Sequence, residues 1–439
     1  MPALKDTPTY NLKAVIRETG LKPDTLRAWE RRYGLPQPHR TSGKHRLYSQ
    51  RDIDILDWLI ASQQEGLSIS RAVEMWRRLE ADGQDPLLAV ASPKTGAKRA
   101  ATPPVAGEAI AESRAAWLSA CLNFDEPSAE QALAQAFAVY PPETVCFEVL
   151  QKGLSQIGDG WHRGEVSVQQ EHFASALALR RLDALIASTS APTRPGRILV
   201  TCPANEEHTF SPALITFLLR RRGWEVLYLG ANVPATRLEA ALAATRPNLV
   251  IAPAQQLYTA ATLLDMARLV AWEKLAFAFG GLAFNTAPGL RDRIPGHFIG
   301  EKLEDVPPMV GRIMASPQPA ADVVPTPPAY RVALGHYREK RPAIEAAVWD
   351  AIPAADRHLD HLALAGTHLA RDIEAALALG DLEFMGADVE WLERLLLNRG
   401  IPPEAPRHFL SAYRRALQAH LGDHGKPVID WLAMRQGED

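Results

Sequence analysis

Between Arg197 and Ile299 the chain alternates short apolar runs with segments of helical spacing, a pattern that few folds accept. Ile198-Leu199-Val200 reads as a strand that stops at Pro203. Pro212 to Arg222 has the apolar spacing of a helix and ends at Gly223, a good helix-stop residue. Glu225 to Leu229 (strand), Ala235 to Ala244 (helix), Leu249 to Ile251 (strand), Ala260 to Val270 (helix) and Ala276 to Phe279 (strand) continue the alternation into Gly280-Gly281. The expectation is a doubly wound parallel sheet. In such a sheet ligands bind outside the carboxyl ends of the strands, which is where Glu206, Glu207 and His208 fall.

Glu206-x-His208 after the first strand, Leu229-Gly230 after the second and Gly280-Gly281-Leu282-Ala283-Phe284 after the fourth resemble the cobalamin-binding Rossmann-type domain. The resemblance implies that His208 is the lower axial cobalt ligand, displacing the cofactor's own base. Glu206 would hold the other ring nitrogen and set the tautomer. Gly280 and Gly281 would let backbone pass close to the buried nucleotide tail, and Gly230 and Phe284 are counted with them as cofactor-binding residues. Ser211 stands where the family usually has glycine, and Gln255, in Ala252-Pro253-Ala254-Gln255, follows the third strand where a serine commonly meets the displaced base. By itself the motif leaves an ordinary α/β loop histidine as an equal reading.

A chain of 439 residues calls for three or four domains. A net charge of −3 denies the whole chain a nucleic-acid signature, so any basic surface must be local. Cys121, Cys146 and Cys202 are too widely spaced to form a metal or redox pair, which favours a reducing compartment. No run is long and apolar enough for a bilayer, and Met1 to Tyr10 lacks the apolar core of a signal peptide. The expected location is the cytoplasm, with no membrane partner.

The local basic surface is near the start. Leu12 to Ile16 reads as one helix, Gly20 as a turn, and Pro23 to Tyr33 as a second helix opening with proline and acid. A basic hairpin, Arg40 to Tyr48, and a helix from Arg51 to Glu65 follow. This order resembles the winged helix-turn-helix of the MerR family, whose members bind double-stranded operator DNA. It implies that Thr25, Arg27, Arg31 and Arg32 sit on or beside the recognition helix, that Arg40, Lys44 and Arg46 in the wing grip phosphates, and that Tyr48 of the wing also binds DNA.

Gln84 to Gly107, rich in Pro, Ala and Lys, reads as a flexible linker. From Glu108 to Ser188 the period is helical, broken at Pro141-Pro142. Within it Trp161 is followed, after nine residues, by Glu171-His172. That spacing resembles the four-helix cap of CarH-type light-dependent repressors, which lies over the upper face of adenosylcobalamin. The resemblance implies that Trp161 packs on the adenosyl group, Glu171 bonds its hydroxyls, and His172 ligates cobalt after photolysis. It also implies a homo-oligomer, dimer or tetramer, that light takes apart. Two other classes stay open: a haem or redox sensor built on the same fold, and a cobalamin-dependent enzyme or methyl carrier.

Ala315 to Ala329, with five prolines, reads as a stiff linker, and Tyr330 to Gln436 as all-helical. Its expected helices are Tyr330 to Arg338, Ala343 to Ala351, His358 to Leu379, Leu382 to Asn398 and Pro406 to Leu421, with a last turn around Trp431. The segment weakly resembles photoglobin-type modules, which implies a linear tetrapyrrole lined by His358, His361, His368, Trp391, His408 and Tyr413, with Tyr337. An oligomerisation or partner-binding bundle is the preferred reading. The whole is thus expected as a multidomain α and α/β chain: winged helix 1–83, linker 84–107, four-helix cap 108–190, cobalamin-binding domain 191–314, linker 315–329 and an all-α domain 330–439 that is a candidate globin-like fold.

Overall fold

The structure is a computed structural model that describes residues 8, 10–19, 21, 23–40, 46–64, 69–81, 105–318, 323–352, 360–386, 389–390, 402 and 404–435. The chain divides into two compact units, residues 1–113 with 133–145 and residues 114–132 with 146–439.

In the first unit β1 (Tyr10–Asn11) leads into α1 (Leu12–Thr19), whose first turn is capped by Asn11 Oδ1, an acceptor for the Ala14 amide at 2.9 Å. α2 (Pro23–Tyr33) starts on its proline, as its sequence requires. β2 (His39–Arg40) and β3 (Arg46–Tyr48) complete an antiparallel sheet of order β1-β3-β2. α3 (Gln50–Gln64) begins on a Ser49–Asp52 exchange, Asp52 Oδ2 accepting from the Ser49 amide at 2.8 Å and Ser49 Oγ from the Asp52 amide at 3.1 Å. α4 (Ile69–Ala81) has no counterpart among the expected elements. It supplies Ala72, Val73 and Trp76 to a core shared with Val15, Leu26, Trp29 and Leu56. Trp58 meets Trp76 edge to face at 5.2 Å.

The second helical stretch comprises α5 (Val105–Leu122), α6 (Glu126–Val139), α7 (Pro142–Val145), a π-helical turn (Cys146–Gln151), α8 (Lys152–His162) and α9 (Val168–Ala187). α5 starts inside the stretch read as linker, of which 82–104 lie outside the described residues. Gly153 lets α8 approach Trp117, whose ring would stand 2.7 Å from an added Cβ. Ser167 and Gln170 form a capping box on α9, and Gln170 Nε2 donates to Leu122 O at 2.7 Å.

Then come β4 (Arg197–Val200), α10 (Phe210–Arg221), β5 (Glu225–Tyr228), α11 (Leu238–Thr245), β6 (Leu249–Pro253), α12 (Leu257–Trp272), β7 (Ala276–Gly280), α13 (Leu282–Thr286), β8 (His297–Phe298) and α14 (Val306–Ala315). The sheet is parallel throughout, with order β5-β4-β6-β7-β8. β6 and β7 are buried along their whole length, the mark of a sheet covered on both faces. The connection reverses direction on the two sides of β4, so the switch point, and with it the expected ligand crevice, lies between the ends of β4 and β6.

Further helices among the described residues are α15 (Pro328–Ala351), α16 (Asp360–Leu379), α17 (Glu404–Leu421) and α18 (Lys426–Arg435). The expected break between Tyr330–Arg338 and Ala343–Ala351 does not occur; α15 runs straight through Pro342. Ala333, Tyr337, Ile344 and Val348 all fall on its buried face, and burying that stripe outweighs the ~3 kcal/mol cost of proline within a helix. Where a helix was expected from Leu382, the described chain makes a 3-10 turn (Leu382–Met385), and 391–400 lie outside the described residues. The proline-rich connection is not a free spacer at its end, because Val324 N donates to Asp292 O at 3.1 Å and Thr326 Oγ1 to Ala378 O at 3.0 Å. One apolar core joins Leu263, Leu264 and Ala267 of α12 to Ile373, Ala376 and Leu377 of α16. Among the described residues no helix is long and apolar enough to cross a membrane.

Candidate functional site

The loop after β4 is built around one buried carboxylate. Glu206 is fully buried, and both its oxygens are engaged. Oε1 accepts from the His208 amide at 3.0 Å and pairs with His208 Nδ1 at 2.6 Å. Oε2 accepts from the Gln255 amide at 2.8 Å and from Thr259 Oγ1 at 2.7 Å, so Glu206 bridges the switch point from β4 to the start of α12. Thr262 Oγ1 holds Ala204 O at 2.7 Å, and Asn232 Oδ1 accepts from the Asn205 amide at 2.8 Å. Burial works to raise the Glu206 pKa, but His208 and the Gln255 and His208 amides outweigh it and keep the carboxyl below its ordinary value. His208 is shifted up, chiefly by its hydrogen bond to Glu206. A carboxylate only accepts, so Nδ1 must carry the hydrogen, and in the neutral ring the Nε2 lone pair is left for a ligand. The imidazole is 59% exposed.

A cleft of about 160 Å³ opens beside this loop, lined by Ser211, Ile215, Gln255, Gly280, Gly281 and Asn285 among others. Gly281 has a φ of +112°, and a Cβ there would stand 2.2 Å from Ala254 O, so only glycine passes. Gln255 Oε1 accepts from the Leu282 amide at 3.1 Å, tying the two loops together. Gly230, at φ +81°, turns the chain after β5 and accepts from the Cys202 amide at 3.0 Å. Phe284 is fully buried, its ring 4.8 Å from that of Phe279.

Glu171 opens α9. Its Oε2 meets His172 Nδ1 at 2.6 Å, its Oε1 accepts from Ser175 Oγ at 2.7 Å, and its charge is felt at His208. His172 is 75% exposed. Trp161, at the end of α8, is partly exposed, with the His162 ring 5.5 Å away. All three cysteines are buried and none is in a disulfide, and burial pushes the Cys121 and Cys202 thiols up to about 12, which makes them poor nucleophiles at neutral pH. Among the described residues no group of three or more His, Cys, Asp or Glu side chains is arranged to hold a metal.

In the winged helix, Arg27, Arg31 and Arg32 are exposed on α2, and Thr25 is partly so. Arg27 also pairs with Asp24 at 3.4 Å. Arg46 and Tyr48 differ from expectation. Arg46 Nε donates to Glu30 Oε2 at 2.8 Å, and the fully buried Tyr48 donates to Glu30 Oε1 at 2.5 Å. Tyr48 therefore braces the wing against α2 and has no surface to offer DNA. Arg40 ends β2, while Lys44 lies outside the described residues, as do His358 and Trp391.

Of the tetrapyrrole candidates, the described residues include Tyr413, His408 and His368. Tyr413 is buried, its hydroxyl 2.5 Å from that of Tyr337, which also donates to Ala370 O at 3.3 Å. His408 is exposed on α17, His368 is half-buried on α16, and His361 lies in the first turn of α16. Sequence reasoning missed Thr259, Glu30 and Asn285. Thr259 lies 53 residues from Glu206, and only the sheet order brings them together.

A parallel-sheet crevice with a carboxylate-held histidine, in a chain that also carries a winged helix, is the arrangement expected of a cobalamin-binding, DNA-binding regulator. The comparisons agree. Residues 10–79 match the MerR HTH family regulatory proteins, and residues 114–186 match the B12 binding domain. The HTH-type transcriptional repressor CarH of Myxococcus xanthus is 33% identical over 244 residues, 55% of this chain and 77% of that one. CarA of the same organism is 31% identical, over 55% of this chain and 75% of its own. The monomethylamine corrinoid protein of Methanosarcina barkeri covers 46% of this chain and 99% of its own, at 18% identity and a TM-score of 0.40, too loose a likeness to carry an argument. The chain belongs to the CarH family of MerR-type, B12-binding transcriptional regulators.

Proposed function

We propose that this regulator is a light-responsive repressor whose cofactor is adenosylcobalamin. The observation that carries the reading is a pair of imidazoles, each with Nδ1 at 2.6 Å from a carboxylate: His208 with Glu206, and His172 with Glu171. The residues present fit a corrinoid. The cleft has an apolar floor of Ile215, Ile299 and Val306, and the backbone at Gly281 can lie close to a nucleotide tail.

In this reading His208 Nε2 would hold the cobalt of the cofactor, with Glu206 fixing the ring's tautomer and orientation. Trp161 would pack on the adenosyl group, Glu171 would accept from its hydroxyls, and His172 would offer a second imidazole to cobalt. When bound, the cofactor would supply a cobalt–carbon bond that visible light breaks, and Trp161 and Glu171 would couple that chemistry to the packing of the cap. The active species is a homo-oligomer, and several winged helices reach one operator with high effective concentration. Arg27, Arg31 and Arg32 contact DNA, with Arg40, Lys44 and Arg46 supporting the wing. The segments 1–83, 108–190, 191–314 and 330–439 act as DNA module, cap, cobalamin domain and helical extension.

The test is an absorption spectrum and a size-exclusion profile of the full chain with adenosylcobalamin, in darkness and after green light. A retained cobalamin band that converts on illumination, together with a later elution, supports the reading. Retention with no change in either one contradicts it.

A further inference from the structure

The cleft beside the β4 loop is not built by the sheet domain alone. Gln151, the last residue of the π-helical turn Cys146–Gln151, lines it together with Ser211 and Gln255. The turn is anchored in the cap by its buried Cys146, Val149 and Leu150, and Arg114 Nη1 donates to its Glu148 O at 2.8 Å. A π-turn widens the helix to i→i+5 bonding, which re-aims the side chains that follow, and such turns are frequent at functional sites. Here it leaves Gln151 half-buried at the cleft, and among the described residues the Gln151 side chain has no hydrogen-bond partner. A side-chain amide brings two N–H donors and a carbonyl acceptor, all of them open to a ligand. Lys302 lines the same cleft with no ion pair among the described residues, whereas Glu301 in the lining is paired with Arg291 at 2.9 Å. The uncompensated charge of the lining is therefore positive, which suits an anion.

We infer that the cleft holds the phosphodiester of the corrinoid's nucleotide tail, with Gln151 of the cap as hydrogen-bond donor and Lys302 as counter-charge. The inference rests on the reading that this crevice binds a corrinoid, and it adds a residue of the cap to a tail site otherwise made by the sheet domain. The phosphodiester is the anionic group of the tail, and hydrogen bonds to an ionised acceptor are the strong ones. Because Gln151 belongs to the cap and Ser211 to the sheet domain, a tail in the cleft ties the two together without help from the adenosyl group.

The experiment is titration of the full chain in darkness, followed by absorbance, with adenosylcobalamin, adenosylcobinamide phosphate and adenosylcobinamide. The last of these lacks the phosphate, and the second lacks only the base and its ribose. The unmodified chain is expected to bind adenosylcobinamide phosphate more tightly than adenosylcobinamide; equal affinity overturns the proposal, and this comparison needs no variant to fold. Gln151→Leu keeps the bulk of the side chain and is expected to weaken both phosphate-bearing forms roughly tenfold, the worth of one hydrogen bond to a charged group, while sparing adenosylcobinamide. Gln151→Glu sets a carboxylate against phosphate and is expected to weaken the same two forms further. Equal weakening of all three corrinoids by Gln151→Leu overturns the proposal, because Gln151 would then act only through the packing of the cap. Weakening of adenosylcobalamin alone also overturns it, since the contact would then be to the base or its ribose. So does undiminished binding of the phosphate-bearing forms by Gln151→Glu, because Gln151 would then be an acceptor. Failure of all three corrinoids to bind the unmodified chain removes the corrinoid reading itself, and the proposal with it.

Discussion

His208 Nδ1 lies 2.6 Å from Glu206 Oε1, and the other oxygen of the same carboxylate is held by Thr259 of α12 at 2.7 Å. The orientation of the imidazole is therefore set by the packing of α12 against the sheet as well as by the loop that carries it.

Replacing Glu206 by glutamine puts an amide where a four-fold acceptor stood, so at least one of the His208, Gln255 and Thr259 donors meets another donor. Corrinoid affinity is expected to fall ~10–100-fold, the usual cost of losing the group that orients a metal-binding histidine. Titration followed by absorbance checks this, and unchanged affinity would show that Glu206 does not orient the ligand.

The same pair gives the cofactor-free protein a pH signature. His208 has a raised folded pKa, so its contribution is complete below its ordinary value of 6.5 and is lost as pH rises through the raised value. Glu206 has a lowered one, so its contribution is complete above 4.5 and is lost as pH falls through the lowered value. Their joint contribution is greatest between 4.5 and 6.5. The melting-temperature difference between the unmodified chain and His208→Ala should therefore be largest in that window and shrink on either side.

Gly281→Ala places a Cβ 2.2 Å from Ala254 O at a φ of +112°. The strain alone is worth ~1–3 kcal/mol, and the clash adds to it. A lower melting temperature and lost corrinoid uptake are expected by thermal denaturation and absorbance; a neutral result would mean that the loop is free to shift.

Glu30, Arg46 and Tyr48 separate bracing from DNA contact. Tyr48→Phe leaves one Glu30 oxygen short of a donor and should cost ~1–3 kcal/mol of stability while sparing the salt dependence of DNA binding. Arg31→Ala, at an exposed position, should leave stability unchanged and lower the slope of log affinity against log salt by about 1. Denaturant melts and salt-dependent anisotropy read the two effects apart.

The sheet was legible in sequence because every buried strand is a continuous apolar run between helix-spaced segments, as in Leu249 to Pro253. Glu206 and His208 were legible because they are two residues apart in one loop. Thr259 and Glu30 were not, since their roles come from tertiary juxtaposition and leave no local period. Tyr48 was misplaced for a related reason: a tyrosine in a basic hairpin reads as surface, and only the position of Glu30 on α2 shows that it turns inward. α15 passed its proline because the buried face on both sides of Pro342 is continuous, which a break-at-proline rule ignores.

The central claim is that light acts on DNA binding through the cobalamin site. The most direct measurement is operator affinity of the full chain by fluorescence anisotropy, using a fragment selected from genomic DNA in darkness with adenosylcobalamin, and repeated after green light. Affinity is expected to be high in darkness and at least tenfold lower after illumination, with His208→Ala insensitive to light. Equal affinity before and after light, in a sample whose cobalamin spectrum has converted, would contradict the claim.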